Sequence, residues 1–72
     1  MTTVPSFPVE IDRESDGRWI ADVPSVPGAM AYGFTPDEAA ARAEALALRA
    51  LAERLEHGEP VPEIDGLFVR AA

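Results

Sequence analysis

The segment DVPSVPG, Asp22 to Gly28, separates two strand-like stretches and is followed closely by YGFTPDEAA, Tyr32 to Ala40. Pro24 and Pro27 lack backbone donors and hold their preceding residues extended. Gly28 can adopt the positive φ that a tight turn requires. We therefore expect a turn that interrupts strand pairing at this point.

A capping box predicts that a long helix begins just after the second segment. Thr35 offers a side-chain acceptor to the first helical amides, Pro36 occupies the first helical position, and Glu38 completes the Thr-x-x-Glu pattern. The alanine-rich stretch that follows predicts a helix over about 36–56, ended by His57 and Gly58. We expect this helix to pack by its leucine side, because one apolar stripe contains Ala40, Ala47, Leu48, Leu51 and Leu55.

Strand signals surround the turn and follow the helix. Apolar alternation predicts strands over 7–12, 18–23 and 29–33, and a last short strand over 64–69. A right-handed crossover should place the last strand parallel to the first. The expected fold is α+β in the order β-β-β-α-β: a three-stranded antiparallel meander with one long helix on one face. It forms a single domain over 1–72, with flexible ends at 1–6 and 70–72.

The alternation also assigns side chains to the two faces of the sheet. The residues expected to face the core and the helix are Phe7, Val9, Ile11, Trp19, Ala21 and Val23. Ile20, Met30 and Tyr32 fall on the opposite face, where they should form a contiguous apolar patch. A second copy of the chain would bury such a patch, so we expect a homo-oligomer.

Composition restricts the function classes. The 72 residues include thirteen acidic residues, six arginines and no lysine, for a formal charge of −7. This balance argues against nucleic-acid binding by the chain alone and favours a basic protein partner, although negative charge can also serve solubility alone. The absence of cysteine excludes disulfides. No apolar stretch resembles a membrane span or a signal peptide, so a cytoplasmic protein without membrane contact is expected.

The order of these motifs resembles the HicB family of small antitoxins. Its pattern is a strand, then acidic-Val-Pro-x-x-Pro-Gly, a second strand, and Gly-x-Thr-x-x-Glu-Ala opening a helix, and the likeness covers about 7–69. The resemblance implies a partial ribonuclease H fold and a cognate HicA-like toxin, a small basic ribonuclease that cleaves messenger RNA. Longer members carry a DNA-binding tail, and the sequence here shows none, so neutralisation without direct DNA binding is expected.

An acidic antitoxin can mimic the phosphates that its toxin would bind. The candidate contacts are the carboxylates of Asp16, Asp22 and Glu44, together with Trp19, Tyr32, Pro24, Pro27 and Gly28, which would contribute shape. Each carboxylate could equally be a solvated charge, and Trp19 could be a core residue. An orphan homo-oligomeric module with another protein partner remains the alternative.

Catalysis is not expected from this sequence. Ribonuclease H enzymes gather carboxylates around two metal ions, and Asp12, Asp22 and Glu44 could be offered as such a set, but no motif ties them together. The single histidine, His57, stands at the predicted helix exit, where a cation favours the helix dipole. We therefore predict no catalytic residue, no metal and no cofactor.

Overall fold

The computed structural model describes residues 5–71. Three strands form an antiparallel sheet in the order β1 (Glu10–Arg13), β2 (Trp19–Asp22) and β3 (Met30–Gly33). One long helix, α1 (Pro36–Glu56), covers one face of this sheet, and a short 3-10 helix, Pro62–Ile64, follows. The predicted α+β class, meander and single long helix are confirmed. Of the ends expected to be flexible, residues 1–4 and 72 lie outside the described part.

None of the helices in residues 5–71 is long and apolar enough to cross a membrane.

The first strand is shorter than predicted and begins at Glu10. Phe7 and Val9 are half-buried and pack against the core from an unpaired segment, because Pro8 between them has no donor for a ladder. Ile11 lies opposite the fully buried Ala21 but is 44% exposed. Its expected burial is wrong because β1 is an edge strand and α1 lies mainly over the other two.

The helix has the predicted bounds, and its capping box is formed. The Thr35 Oγ1 accepts a hydrogen bond from the Glu38 amide at 3.0 Å, and the Glu38 carboxylate accepts one from the Phe34 amide at 3.0 Å. At the other end the His57 amide donates to the Glu53 carbonyl at 3.1 Å. Local hydrogen bonding therefore defines both ends of α1.

The prediction that α1 packs by its leucine side holds for Ala40, Ala47 and Leu51, which pack against the core, and is wrong for Leu48 and Leu55. Its buried residues are Ala39, Ala43, Ala47 and Leu51, spaced four apart, whereas Leu48 is 66% and Leu55 49% exposed. The facing side of the sheet also carries small residues, so the helix backbone comes very close to it. A Cβ placed on Gly33 would lie 2.5 Å from the Ala39 amide nitrogen, a distance that excludes any side chain there.

The predicted last strand over 64–69 is not formed within the described residues. Pro62 instead starts the 3-10 helix, and Gly66, with φ 86°, turns the chain. The segment is anchored before this point, because the Arg54 guanidinium donates to both carboxylate oxygens of Glu63, at 3.0 and 3.2 Å, and to the Pro60 carbonyl at 3.1 Å. Beyond the turn no neighbouring strand pairs with the described chain, and Phe68 is 72% exposed.

Candidate functional site

The open face of the sheet, opposite α1, carries the apolar patch that the alternation predicts. Ile20 lies directly opposite Tyr32 across β2 and β3, and Asp22 lies opposite Met30. Met30 is 50% and Tyr32 39% exposed, while Ile20 is half-buried between them. Residues 5–71 place no second layer over these side chains. The patch is therefore available to a partner.

Carboxylates border this patch along β1 and β2. Glu10 lies opposite Asp22, and Asp12 lies opposite Ile20, so all three point to the open face. A cavity of about 300 Å³ lies among them. Its lining consists of Glu10, Ile11, Asp12, Ile20, Asp22 and Met30. We call this set the acidic pocket; its walls combine three carboxylates with apolar side chains, a composition suited to a cationic group on an aliphatic stem.

Asp16 lies in the β1–β2 turn and is engaged within the chain. Its carboxylate accepts hydrogen bonds from the Arg18 amide at 3.1 Å and from the Arg18 Nε at 2.8 Å. Both hydrogen bonds lower the pKa of Asp16 below its usual value, and the bond from the Arg18 backbone amide has the larger effect. The Arg18 guanidinium also stacks over the Tyr32 ring, 4.4 Å from the ring centroid. Asp16 therefore orients the cation that covers one end of the open face.

Trp19 faces away from this patch. Its neighbours in the register are Arg13 and Gly33 on the helix side of the sheet, and the Arg13 guanidinium lies 5.3 Å from its ring centroid. The side chain is half-buried and packs against the core. This position supports the core role left open for Trp19 over a role in partner contact.

The Pro-Gly turn projects from the end of the open face where Asp22 and Met30 lie. The Met30 amide donates to the Gly28 carbonyl at 3.0 Å, and Gly28 has φ 86°. Val26, 2% exposed, anchors the turn from inside, whereas Pro24 and Pro27 are exposed. The turn thus adds an exposed, internally hydrogen-bonded edge to the acidic pocket's end of the sheet.

Glu44 is separate from the other two candidate carboxylates. It lies on α1, on the far side of the sheet, at an apolar groove of about 240 Å³. The groove is lined by Phe7, Val23, Glu44, Ala47, Leu48 and Leu51. The structure brings Asp22 together with Tyr32, Met30 and the turn, and it leaves Glu44 on another surface.

Two surface features were not predicted from the sequence. Glu10 and Asp12 join Asp22 in the acidic pocket, and the same alternation that selected Ile20 could have selected them, since all share one parity. A second apolar groove of about 160 Å³ runs between α1 and the C-terminal segment. It is lined by Leu48, Leu51, Ala52, Leu55, Ile64, Leu67 and Phe68. No local signal predicts it, because it depends on where the chain lies after Gly66.

The described residues contain no group of three or more His, Cys, Asp or Glu side chains placed to hold a metal ion. The exposed His57 lies at the end of α1, away from the acidic pocket. What the open face offers chemically is apolar contact bordered by negative charge, which suits protein recognition. No family model, no curated protein and no solved structure matches this chain.

Proposed function

We propose that the chain is a HicB-like antitoxin of a type II toxin-antitoxin pair. It neutralises a HicA-like, mRNA-cleaving ribonuclease by binding it directly in the cytoplasm. The motif order over 7–69 supports the family, and the three-stranded sheet with one covering helix suits a partial ribonuclease H fold. A fourth strand beside β1 would complete the likeness.

The observation that carries the proposal is the open face with its acidic border. A ribonuclease that cleaves messenger RNA needs a basic surface for phosphates, and carboxylates spaced along a sheet can occupy the same positions. Glu10, Asp12 and Asp22 lie beside exposed apolar side chains, so the face can pair charges at its border and exclude water at its centre. The formal charge of −7 also speeds the encounter with a basic partner.

Co-expression with a HicA-like toxin tests the proposal, and the gene to try first is any short basic open reading frame encoded beside this one. We expect growth rescue and a complex in a pull-down. Asp22→Asn should lower the affinity of the complex and make that affinity less dependent on salt. Glu53→Gln, a matched change on the exposed side of α1, should leave the affinity and its salt dependence unchanged. A chain folded by circular dichroism that neither rescues growth nor binds the toxin would contradict the proposal.

The alternative is an orphan homo-oligomeric module, in which a second copy and not a toxin covers the patch of Ile20, Met30 and Tyr32. In the free chain this exposed patch favours self-association under both proposals. Light scattering should show a species larger than the 7.7 kDa chain. An oligomer with no toxin partner would favour the orphan module.

A second test is a mobility shift, in which we expect no binding of the isolated chain to duplex DNA or to RNA at physiological salt.

A further inference from the structure

The two edges of the sheet differ in their free backbone groups. On β3, the Val23 amide donates to the Ala29 carbonyl at 2.9 Å, so by alternation Met30 and Tyr32 direct their backbone groups outward. The Tyr32 carbonyl accepts from the Arg42 Nη1 at 3.0 Å, and the Met30 amide donates to the Gly28 carbonyl at 3.0 Å. Side chain and turn therefore occupy much of this edge.

The β1 edge is open. The Glu14 amide donates to the Arg18 carbonyl at 2.7 Å, so by the same alternation Glu10 and Asp12 bond to β2, whereas Ile11 and Arg13 face outward. The Arg13 amide is bonded to its neighbour's carboxylate, Asp12 Oδ1, at 2.8 Å. Within residues 5–71 the Ile11 amide and carbonyl have no protein partner. An open donor and acceptor of this kind can bind an incoming strand.

Charge opposes a second copy at this edge. Two copies of β1 can pair antiparallel only when residues whose backbone groups point outward lie opposite each other. The residues between them, whose backbone groups bond to β2, then also lie opposite each other. Glu10 and Asp12 belong to this second set, as does Glu14, so every register along β1 sets carboxylate against carboxylate on the open face. Self-pairing through β1 is therefore disfavoured, and a strand with basic side chains at alternate positions is favoured.

The acidic pocket lies where such side chains would arrive. Residues opposite Glu10 and Asp12 on an added strand would point to the open face, beside the cavity of about 300 Å³. Ile20 and Met30 in its lining can contact the aliphatic stem of a lysine or arginine while the carboxylates pair with its charge. Edge hydrogen bonding and side-chain chemistry thus select the same ligand.

We propose that the β1 edge binds an extended basic segment of the protein partner, which adds to the sheet as a fourth strand and places alternate basic side chains over Glu10, Asp12 and Asp22. This deepens the proposed function, and it rests on that function only for the identity of the partner. The incoming backbone bonds to Ile11, and the basic side chains set its register.

A peptide experiment tests the edge without the toxin. The probe is a ten-residue peptide of alternating lysine and threonine, titrated at low salt into the labelled full chain and followed by amide NMR. We expect shift changes centred on Ile11 and Arg13, with slowed exchange of the Ile11 amide. A peptide of alternating glutamate and threonine should cause none. An Ile11 amide already protected in the free chain, or lysine-peptide shifts that leave β1 untouched, would overturn the proposal.

Variants then test the same edge in the complex with the toxin. Ile11→Pro removes the outward donor without breaking the ladder to β2, and Ile11→Val keeps it. We expect Ile11→Pro to weaken binding about tenfold and Ile11→Val to bind as wild type. Glu10→Gln with Asp12→Asn should slow association about tenfold at low salt. If the wild type binds the toxin and Ile11→Pro binds equally well, the edge-pairing proposal is wrong while the antitoxin proposal stands. If the wild type does not bind the toxin, the antitoxin proposal is wrong, and the peptide experiment alone decides whether the β1 edge binds a strand.

Discussion

Replacing Gly33 with alanine should destabilise the fold by about 3 kcal/mol. The new Cβ would lie 2.5 Å from the Ala39 nitrogen and 3.0 Å from both the Ala39 Cα and the Glu38 carbonyl carbon. Favourable contacts between heavy atoms need about 3.5–4.0 Å. The obstructing atoms are helix backbone and cannot rotate aside, so the first turn of α1 must move away from the sheet. Overpacking typically costs about 1–3 kcal/mol, and a rigid neighbour places this change at the upper end.

That loss is large for a chain of this size. A domain of 72 residues has a total free energy of unfolding of roughly 4–11 kcal/mol. At about 4–8 °C per kcal/mol, the melting temperature should fall by roughly 12–24 °C. Thermal and urea unfolding at one fixed protein concentration, followed by circular dichroism, measures the change.

Gly58→Ala is the matched control for this substitution. Gly58 has φ 73°, and a Cβ added there would meet no atom within 4 Å, so alanine at this position costs only the left-handed backbone, about 1–2 kcal/mol. A Gly33→Ala protein that melts at or above the temperature of Gly58→Ala would refute the close-approach argument.

Substitutions at Thr35, Leu51 and Glu63 also test the fold. Thr35→Ala should cost about 1 kcal/mol of unfolding free energy through loss of the helix cap, and Thr35→Ser should restore it in chemical denaturation. Leu51→Ala should cost about 2–5 kcal/mol, whereas Leu48→Ala, at an exposed position, should stay within about 0.5 kcal/mol in the same assay. The hydrogen-bonded Arg54 guanidinium lowers the pKa of Glu63, so this pair stabilises the fold above the ordinary glutamate pKa of about 4.3 and stops doing so as the pH falls through the lower folded value. Glu63→Gln should therefore flatten the acid limb of a stability-against-pH curve, and an unchanged limb would contradict this role.

The helix bounds could be predicted because their determinants are local. Thr35 and Glu38 accept hydrogen bonds from amides within one turn, Pro36 begins the helix, and Gly58 lies directly beyond the helix exit. The sheet faces could be predicted for a similar reason, since alternation along a strand fixes which side chains share a face. Ile20, Met30 and Tyr32 accordingly lie together.

The packing face of α1 could not be predicted from hydrophobicity. Leucine has a larger apolar surface than alanine, so a helical wheel weighted by hydrophobicity favours the stripe that contains Leu48 and Leu55. The sheet surface beneath the helix includes Ala21, Ala31 and Gly33, and small residues at these positions allow the backbones to approach closely. The choice depends on the shape of both surfaces, which no single segment contains.

The fate of the last strand and the state of the sheet edges could not be predicted, because both depend on residues far away in the sequence. A strand needs a neighbour, and the alternation at 64–69 says nothing of whether one is within reach once Gly66 has turned the chain. The bond from Arg42 to the Tyr32 carbonyl spans ten residues and occupies one acceptor of the β3 edge, and nothing in either segment alone indicates it. The carboxylates of β1 are a different case, because they share the parity of Ile20 and alternation alone could have placed them beside the apolar half of the candidate site.

The indole of Trp19 and the phenol of Tyr32 can serve as intrinsic spectroscopic reporters for this protein. The chain has one tryptophan and one tyrosine, and the register puts Trp19 on the helix side of the sheet and Tyr32 on the open side. Trp19 emission therefore follows the integrity of the core, whereas Tyr32 absorbance follows solvent exclusion from the opposite surface. A ligand that covers the open face is therefore reported by Tyr32 and unfolding by Trp19, so the two events can be followed in one unlabelled sample.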